Sequence, residues 1–301
     1  MLANFGEKVR TLRFEKKLTR EELCGDESEL SVRQLARIEL GQSIPSLSKV
    51  AFIAKKLDVS VGFLTDGEDL ELPKRFKELK YLILRTPTYM DGDKLKTREA
   101  QFDEIFEDYY DQLPEVEQLV IDCLQSKFDV YQSGDINFGS PLIQEYINQI
   151  SKNTKYQLND LLIIDLYLTC AVVSNFSKYH FDLSLYQEFV NTILKSEEEL
   201  LLEDLFMLNN ILHTCLDVSI RLKDYLKVEQ MLLLSQKIMS RIQDFQKIPM
   251  YCMYYWKYAL YHLNDFAKAK HFYEQSVMFT SLTNDNYLVK KLEKEWLKDN
   301  F

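Results

Sequence analysis

Apolar positions recur along this chain at spacings of three and four, and almost nowhere alternate with a period of two, so the pattern predicts helices from end to end. Phe5, Val9, Leu12 and Phe14 predict an amphipathic helix over about Asn4 to Lys16, all four facing inward. Thr19-Arg20-Glu21-Glu22, ahead of Leu23-Cys24, is a capping box that opens a second helix. Ser31, followed three residues later by Gln34, opens a third, with Leu35 and Ile38 inward. Pro45 precedes a fourth, carrying Leu47, Val50, Ala51, Ile53, Ala54 and Leu57, and Val59 to Leu64 form a fifth. The periodicity then lapses into the charged stretch Asp66 to Pro73. From Lys74 onward a helical period runs with only four prolines. The expected fold is all-α, in two domains: 1–66, a linker at 67–75, and a helical body at 76–301.

Repeats organise the second part. Helix-turn-helix junctions stand at Lys178-Tyr179-His180-Phe181, Lys223-Asp224-Tyr225 and Asn264-Asp265-Phe266, the last two 41 residues apart. The final pair, Tyr254 to Tyr261 and Asp265 to Val277, with Ala267 and Ala269 in its second helix, resembles a tetratricopeptide unit. The resemblance implies a divergent α-solenoid over about 76–283, whose concave face, lined by the first helix of each pair, takes extended peptides. A last helix, about Asp285 to Phe301, sets Tyr287, Leu288, Leu292 and Trp296 on one face and is expected to cap the array or cross to a partner subunit.

On the third helix the outward residues are Arg33, Gln34 and Arg37. Two guanidinium forks and an amide on the first turns of a short helix are the groups that read guanine and adenine edges in a major groove. Over Phe5 to Leu64 the sequence resembles the lambda-repressor/Cro type of helix-turn-helix, through Val9, Leu12, Arg13, Leu23, Ser31, Leu35 to Glu39, Gly41, Pro45-Ser46, Ile53-Ala54, Leu57 and Val59. It departs at Cys24, where a small alanine is usual, and at the turn Gly25 to Leu30, which is one residue longer and carries three carboxylates. DNA-binding candidates are Arg33, Gln34 and Arg37 for bases, with Ser31, Thr19, Arg20, Ser46, Lys49 and Arg13 for phosphates.

Charge sharpens this division. The 301 residues carry a formal net charge of -10, yet residues 1–66 hold 11 Lys and Arg against 10 Asp and Glu, leaving 26 against 37 for the rest. A nearly neutral head on an acidic body implies weak background affinity for DNA, and favours two heads reading half-sites together. The same asymmetry motivates a switch in which the body folds onto the head, Glu115 pairing with Arg33, with Arg98 a second inter-domain candidate.

Catalytic and metal chemistry find no support. His180, His213, His262 and His271 are scattered, and no phosphate-binding glycine loop occurs, so neither enzyme activity, cofactor nor metal is expected. Cys24, Cys123, Cys170, Cys215 and Cys252 lie at wide spacing inside apolar patterns and read as core residues of a reducing compartment. No run of about 18 apolar residues and no signal-peptide core is present, so the expected location is cytoplasmic, with no membrane.

A repressor-type head joined to a divergent tetratricopeptide body resembles the Rgg-like peptide-pheromone-sensing regulators of Gram-positive bacteria, and within them the regulators of competence. Leu30 to Leu35, Arg37-Ile38-Glu39, Pro87-Thr88-Tyr89, Leu113-Pro114-Glu115 and Asn159 to Leu162 carry that resemblance. It implies an activator of transcription that binds promoter DNA, is switched on by a short imported linear peptide, and dimerises when activated. Peptide-binding candidates, chosen by helix phase and hydrogen-bonding capacity, are Asn209, Arg85, Thr169, His213, Tyr251, Tyr255 and Tyr258. The alternative is a phage-type repressor, indifferent to peptide, whose helical body only dimerises.

Overall fold

A computed structural model describes residues 4–66 and 72–300; most of the expected linker, 67–71, lies outside the described residues, as does Phe301. No strand occurs among the described residues. Packing divides the chain into two compact units, one running to Ile83 and adding Thr97–Asp122, the other taking Leu84–Lys96 and everything from Cys123. Three helices, α6 (Lys74–Arg85), α7 (Gly92–Asp108) and α8 (Glu115–Ser133), therefore contribute residues to both units. The first of them begins at Lys74, within the stretch assigned from sequence to the linker.

The first unit opens with five short helices: α1 (Phe5–Glu15), α2 (Arg20–Cys24), α3 (Val32–Glu39), α4 (Leu47–Lys56) and α5 (Val61–Thr65). Their core gathers Phe5, Val9, Leu23, Cys24, Leu30, Leu35, Ile38, Val50, Ile53, Ala54, Leu57 and Leu64. Phe14 is a correction to the sequence reading. The inner face of α1 is Phe5, Gly6, Val9 and Arg13, and Phe14, a further 100° round the helix, is 58% exposed beneath the guanidinium groups of Arg10 and Arg13, 5.6 and 4.6 Å from its ring. Gly6 lets α1 approach α3 closely: a Cβ there would lie 2.1 Å from the Ile38 carbonyl oxygen.

In the second unit α9 (Ser140–Ile150) and α10 (Leu158–Val173) lead into α11 (Leu183–Ile193), α12 (Leu205–Leu222), α13 (Val228–Ile242), α14 (Ile248–Tyr258), α15 (Phe266–Leu282) and α16 (Asn286–Asn300). α12 packs against both α10 and α14, while α13 and α15 lie against α12 and α14 respectively, the two-layer order of stacked helix pairs. Each of the three junctions expected from sequence falls between consecutive helices: α10 and α11, α12 and α13, and α14 and α15. α16 closes the array, burying Leu288 and Leu292 with Trp256, and stacking Trp296 on Tyr273 at 4.5 Å. Its start is tied to α7 and the segment before it: Lys94 in the first turn of α7 pairs with Asp285, just ahead of α16, at 2.6 Å, and Tyr287 donates to the Met90 carbonyl at 2.8 Å.

Candidate nucleic-acid interface and polar stripe of the array

The geometry of α3 follows from its caps. Ser31 Oγ accepts from the Gln34 amide at 3.1 Å, and Gln34 Oε1 accepts from the Ser31 amide at 3.4 Å. The acidic turn before it is organised as well: Ser28 donates twice to Asp26, and Glu27 accepts from the Val32 amide at 2.8 Å, a carboxylate on the positive end of the helix. Arg33 is exposed, whereas Gln34 and Arg37 are half-buried.

The other end of α3 is locked. Glu39, buried at 5% exposure, accepts from Arg13 at 2.6 and 3.0 Å and from Arg20 Nε at 2.9 Å. Burial alone raises the Glu39 pKa, but the two guanidinium groups outweigh it and hold the carboxyl below its ordinary value. Arg13, a candidate phosphate contact in the sequence, is thus an internal strut. Arg20 commits one edge to Glu39 with its side chain 35% exposed. Thr19 Oγ1 caps the Glu22 amide, and Ser46, which makes no cap, lies 2.9 Å from Ser48 Oγ.

Glu115, the first residue of α8, belongs to this same unit. Its two oxygens accept from Arg37 Nη1 at 2.8 Å and Ser43 Oγ at 3.2 Å. The expected partner, Arg33, is not the one engaged. Arg33 stands one turn earlier on α3 and makes no ion pair among the described residues, because Glu115 meets the C-terminal half of the helix. Lys49 is near enough to feel the Glu115 charge, though burial carries its pKa below the usual value. Arg98 departs from the sequence reading too. It is buried, donates to the carbonyls of Ile83 and Leu82 at 2.8 and 3.4 Å, and so ties α7 to α6; burial lowers its pKa to about 10.

In the second unit the polar candidates separate into two sets. Asn209 and His213 face α13: Ser235 Oγ donates to Asn209 Oδ1 at 2.6 Å and lies 3.1 Å from His213 Nε2. Having given its one proton to Asn209, Ser235 must accept from His213, which places a proton on His213 Nε2. Burial, with the Lys247 charge, brings the His213 pKa down to about 3. Thr169 is turned back on its own helix, donating to the Asp165 carbonyl at 2.8 Å. Tyr255 stacks on Phe272 of α15 at 3.8 Å, Tyr251 is buried edge-on to Tyr255 within α14, and Tyr258 is buried 6.3 Å from Tyr225, so all three rings are packed against other aromatic side chains.

The polar face of α12 lies one position on. Asn210, Thr214, Asp217 and Arg221, at spacings of four, three and four, are the polar residues of α12 that retain exposure. Thr214 donates to Asp165 of α10 at 2.8 Å, Lys127 of α8 pairs with the other oxygen of that carboxylate, and Arg221 pairs with Asp217 at 2.8 Å. Beside the stripe, Arg85 covers the Phe206 ring at 4.0 Å and pairs with Asp244 at 3.2 Å. Of the sequence candidates, Arg85 alone joins this cluster.

Comparison with known proteins follows both halves of this geometry. A family model described as helix-turn-helix matches residues 9–64, and one described as ComR tetratricopeptide matches residues 73–296, about three quarters of the chain. The chain belongs to the ComR family. ComR from Streptococcus suis is 38% identical, with 99% of this chain and 96% of that one covered and a TM-score of 0.79. ComR from S. thermophilus, solved in complex with DNA and its signalling peptide ComS, is 26% identical over 99% of this chain and 100% of that one, with a TM-score of 0.70. The ComR of Streptococcus vestibularis in complex with its cognate peptide XIP is 27% identical, with both chains fully covered and a TM-score of 0.71. No curated protein sequence matches. No helix among the described residues is long and apolar enough to cross a membrane.

Proposed function

We propose that this chain is a sequence-specific DNA-binding activator of competence genes, switched on by a short signalling peptide held in its helical array and dimeric when active. The observation that carries the reading is a capped α3 presenting Arg33, Gln34 and Arg37, in a family whose S. thermophilus member was captured with both DNA and peptide. Arg33, Gln34 and Arg37 read base edges; Ser31, Thr19, Ser46, Lys49 and the free edge of Arg20 hold phosphates. A target on promoter DNA makes the working location cytoplasmic. The functional division is a reading head over 1–66 and a sensing and dimerising body over 76–301.

Glu115 supplies the off state in this reading. Its carboxylate takes Arg37 and Ser43, groups that a DNA phosphate or base edge would otherwise engage, and peptide binding releases them. On the peptide side, Arg85 and the α12 stripe from Asn210 to Arg221 replace Asn209, His213, Thr169 and the tyrosines as contacts, since those are consumed in helix packing.

The test is fluorescence anisotropy of the purified chain with promoter DNA at fixed salt, with and without candidate signalling peptides. Peptide-dependent tightening is expected. Tight binding that no peptide alters would replace the sensor with a phage-type repressor.

A further inference from the structure

Within electrostatic range of Lys247 the second unit collects two further cations, Arg85 and Lys127, and two carboxylates, Asp244 and Asp165. Arg85 is matched by Asp244, and Lys127 by Asp165, which also accepts from Thr214. The third cation, Lys247, ends the turn Phe245–Lys247 ahead of α14 and has no hydrogen bond or ion pair among the described residues. It is half-buried, and it lies within electrostatic range of Asp244, Asp165, Lys127 and Arg85. Protein atoms crowd the ammonium enough that burial brings its pKa down to about 8, even with two carboxylates nearby. Asn210, one turn before Thr214, carries a buried Oδ1 with no hydrogen-bond partner. A desolvated ammonium is costly unless something compensates it, and both neighbouring carboxylates already serve other cations.

The geometry points to Lys247 as the anchor of an anion subsite in the array, which takes a carboxylate of the signalling peptide, either its C-terminus or an Asp or Glu side chain. Asn210 Oδ1, one turn from the Thr214 that donates to Asp165, accepts a peptide N–H. The inference rests on the peptide-receptor reading above and adds a chemical requirement to it: the ligand brings a negative charge to this point. A neutral or amidated ligand leaves Lys247 desolvated and unpaired, whereas a carboxylate gives it a charge-assisted hydrogen bond.

The probe is a synthetic pool of random eight-residue peptides, made as free acids and as C-terminal amides, with and without Asp and Glu. It is offered to the full chain and to Lys247→Met and Lys247→Arg, and bound peptides are identified by mass spectrometry. The wild-type chain is expected to prefer carboxylate-bearing peptides by about tenfold, Lys247→Arg to keep the preference and Lys247→Met to lose it. Preference for acids over amides identifies the terminus; preference for Asp or Glu at one position, unaffected by amidation, identifies a side chain. Peptides enriched equally in both forms and by both variants overturn the subsite and leave the receptor reading standing. No enrichment by the wild type overturns the receptor reading and the subsite with it. Melting temperatures of the variants separate loss of the subsite from loss of the fold.

Discussion

Arg37 is paired with Glu115, and on the proposed function the same guanidinium is wanted by DNA, so the strength of the pair sets how far Glu115 can restrain the head. The pair is 2.8 Å long, with side chains 39% and 26% exposed. A partly solvated ion pair of this kind contributes about 1 kcal/mol or less, a few-fold in an equilibrium constant. Glu115→Ala is therefore expected to tighten peptide-free DNA binding by roughly three- to fivefold, read by anisotropy. If Arg37 reads a base edge as proposed, Arg37→Ala should weaken DNA binding whether or not Glu115 is present. An unchanged affinity in Glu115→Ala would show that the carboxylate does not compete with DNA. A hundredfold gain would mean that Glu115 holds more than the two bonds it makes to Arg37 and Ser43. Ser235 offers a contrasting case of full burial. Ser235→Ala strips the partner from Asn209 Oδ1 and from His213, so a loss of about 1–3 kcal/mol in unfolding free energy is expected, with peptide selectivity unchanged. A change in selectivity at constant stability would put Asn209 back among the ligand contacts.

At the scale of the element, the C-terminal end of α3 is held twice, by the close approach of α1 and by the Glu39 cluster, and the two attachments fail differently. Gly6→Ala drives a methyl into the Ile38 carbonyl at 2.1 Å. α1 and α3 must then separate, at a cost of about 1–3 kcal/mol, and the variant should lose DNA affinity as well as melting temperature. Glu39 acts through charge. Its folded pKa is below the unfolded value, so its contribution is present above the ordinary carboxylate pKa of 4.5 and is lost as pH falls through the folded value. Breaking the buried cluster by Glu39→Gln is expected to cost about 3–5 kcal/mol and to remove the corresponding acid step from a stability-against-pH curve. A variant that kept the wild-type acid transition would assign that step to another carboxylate. The five helices of the head were legible because each has a solvent side and a marked beginning: the capping boxes at Thr19 and Ser31 both form. α12 was not legible in the same way. Apolar residues surround it from Leu205 to Ile220, so periodicity has no solvent side to refer to, and Asn209 and Asn210 are equivalent by type and neighbourhood. The spacing of Asn210, Thr214, Asp217 and Arg221 was the signal that could have found the polar face. No sequence rule, by contrast, pairs Glu115 with Arg37 rather than Arg33, since the two arginines differ by about one helical turn and only the assembled head decides between them.

For the whole molecule, the near-neutral head on an acidic body limits how DNA affinity can be reached. Of the eleven basic residues in 1–66, Arg13 is consumed internally, Arg20 in part, and Arg37 is matched by Glu115, so one head has few cations to spend on phosphates. Each phosphate contact contributes about -0.9 to the slope of log affinity against log salt concentration. If the peptide acts by joining two heads on one operator, the slope measured with peptide should be about twice the slope without it. If the peptide only frees a single head from Glu115, affinity rises while the slope grows by no more than about one contact. The two cases are separated by anisotropy titrations at four or five salt concentrations, run with and without peptide. The same series on Glu115→Ala divides the effect further, because that variant should reproduce the unmasking without the doubling. An Ala variant with the full doubled slope and no peptide would mean that Glu115 guards the dimer as well as the reading helix.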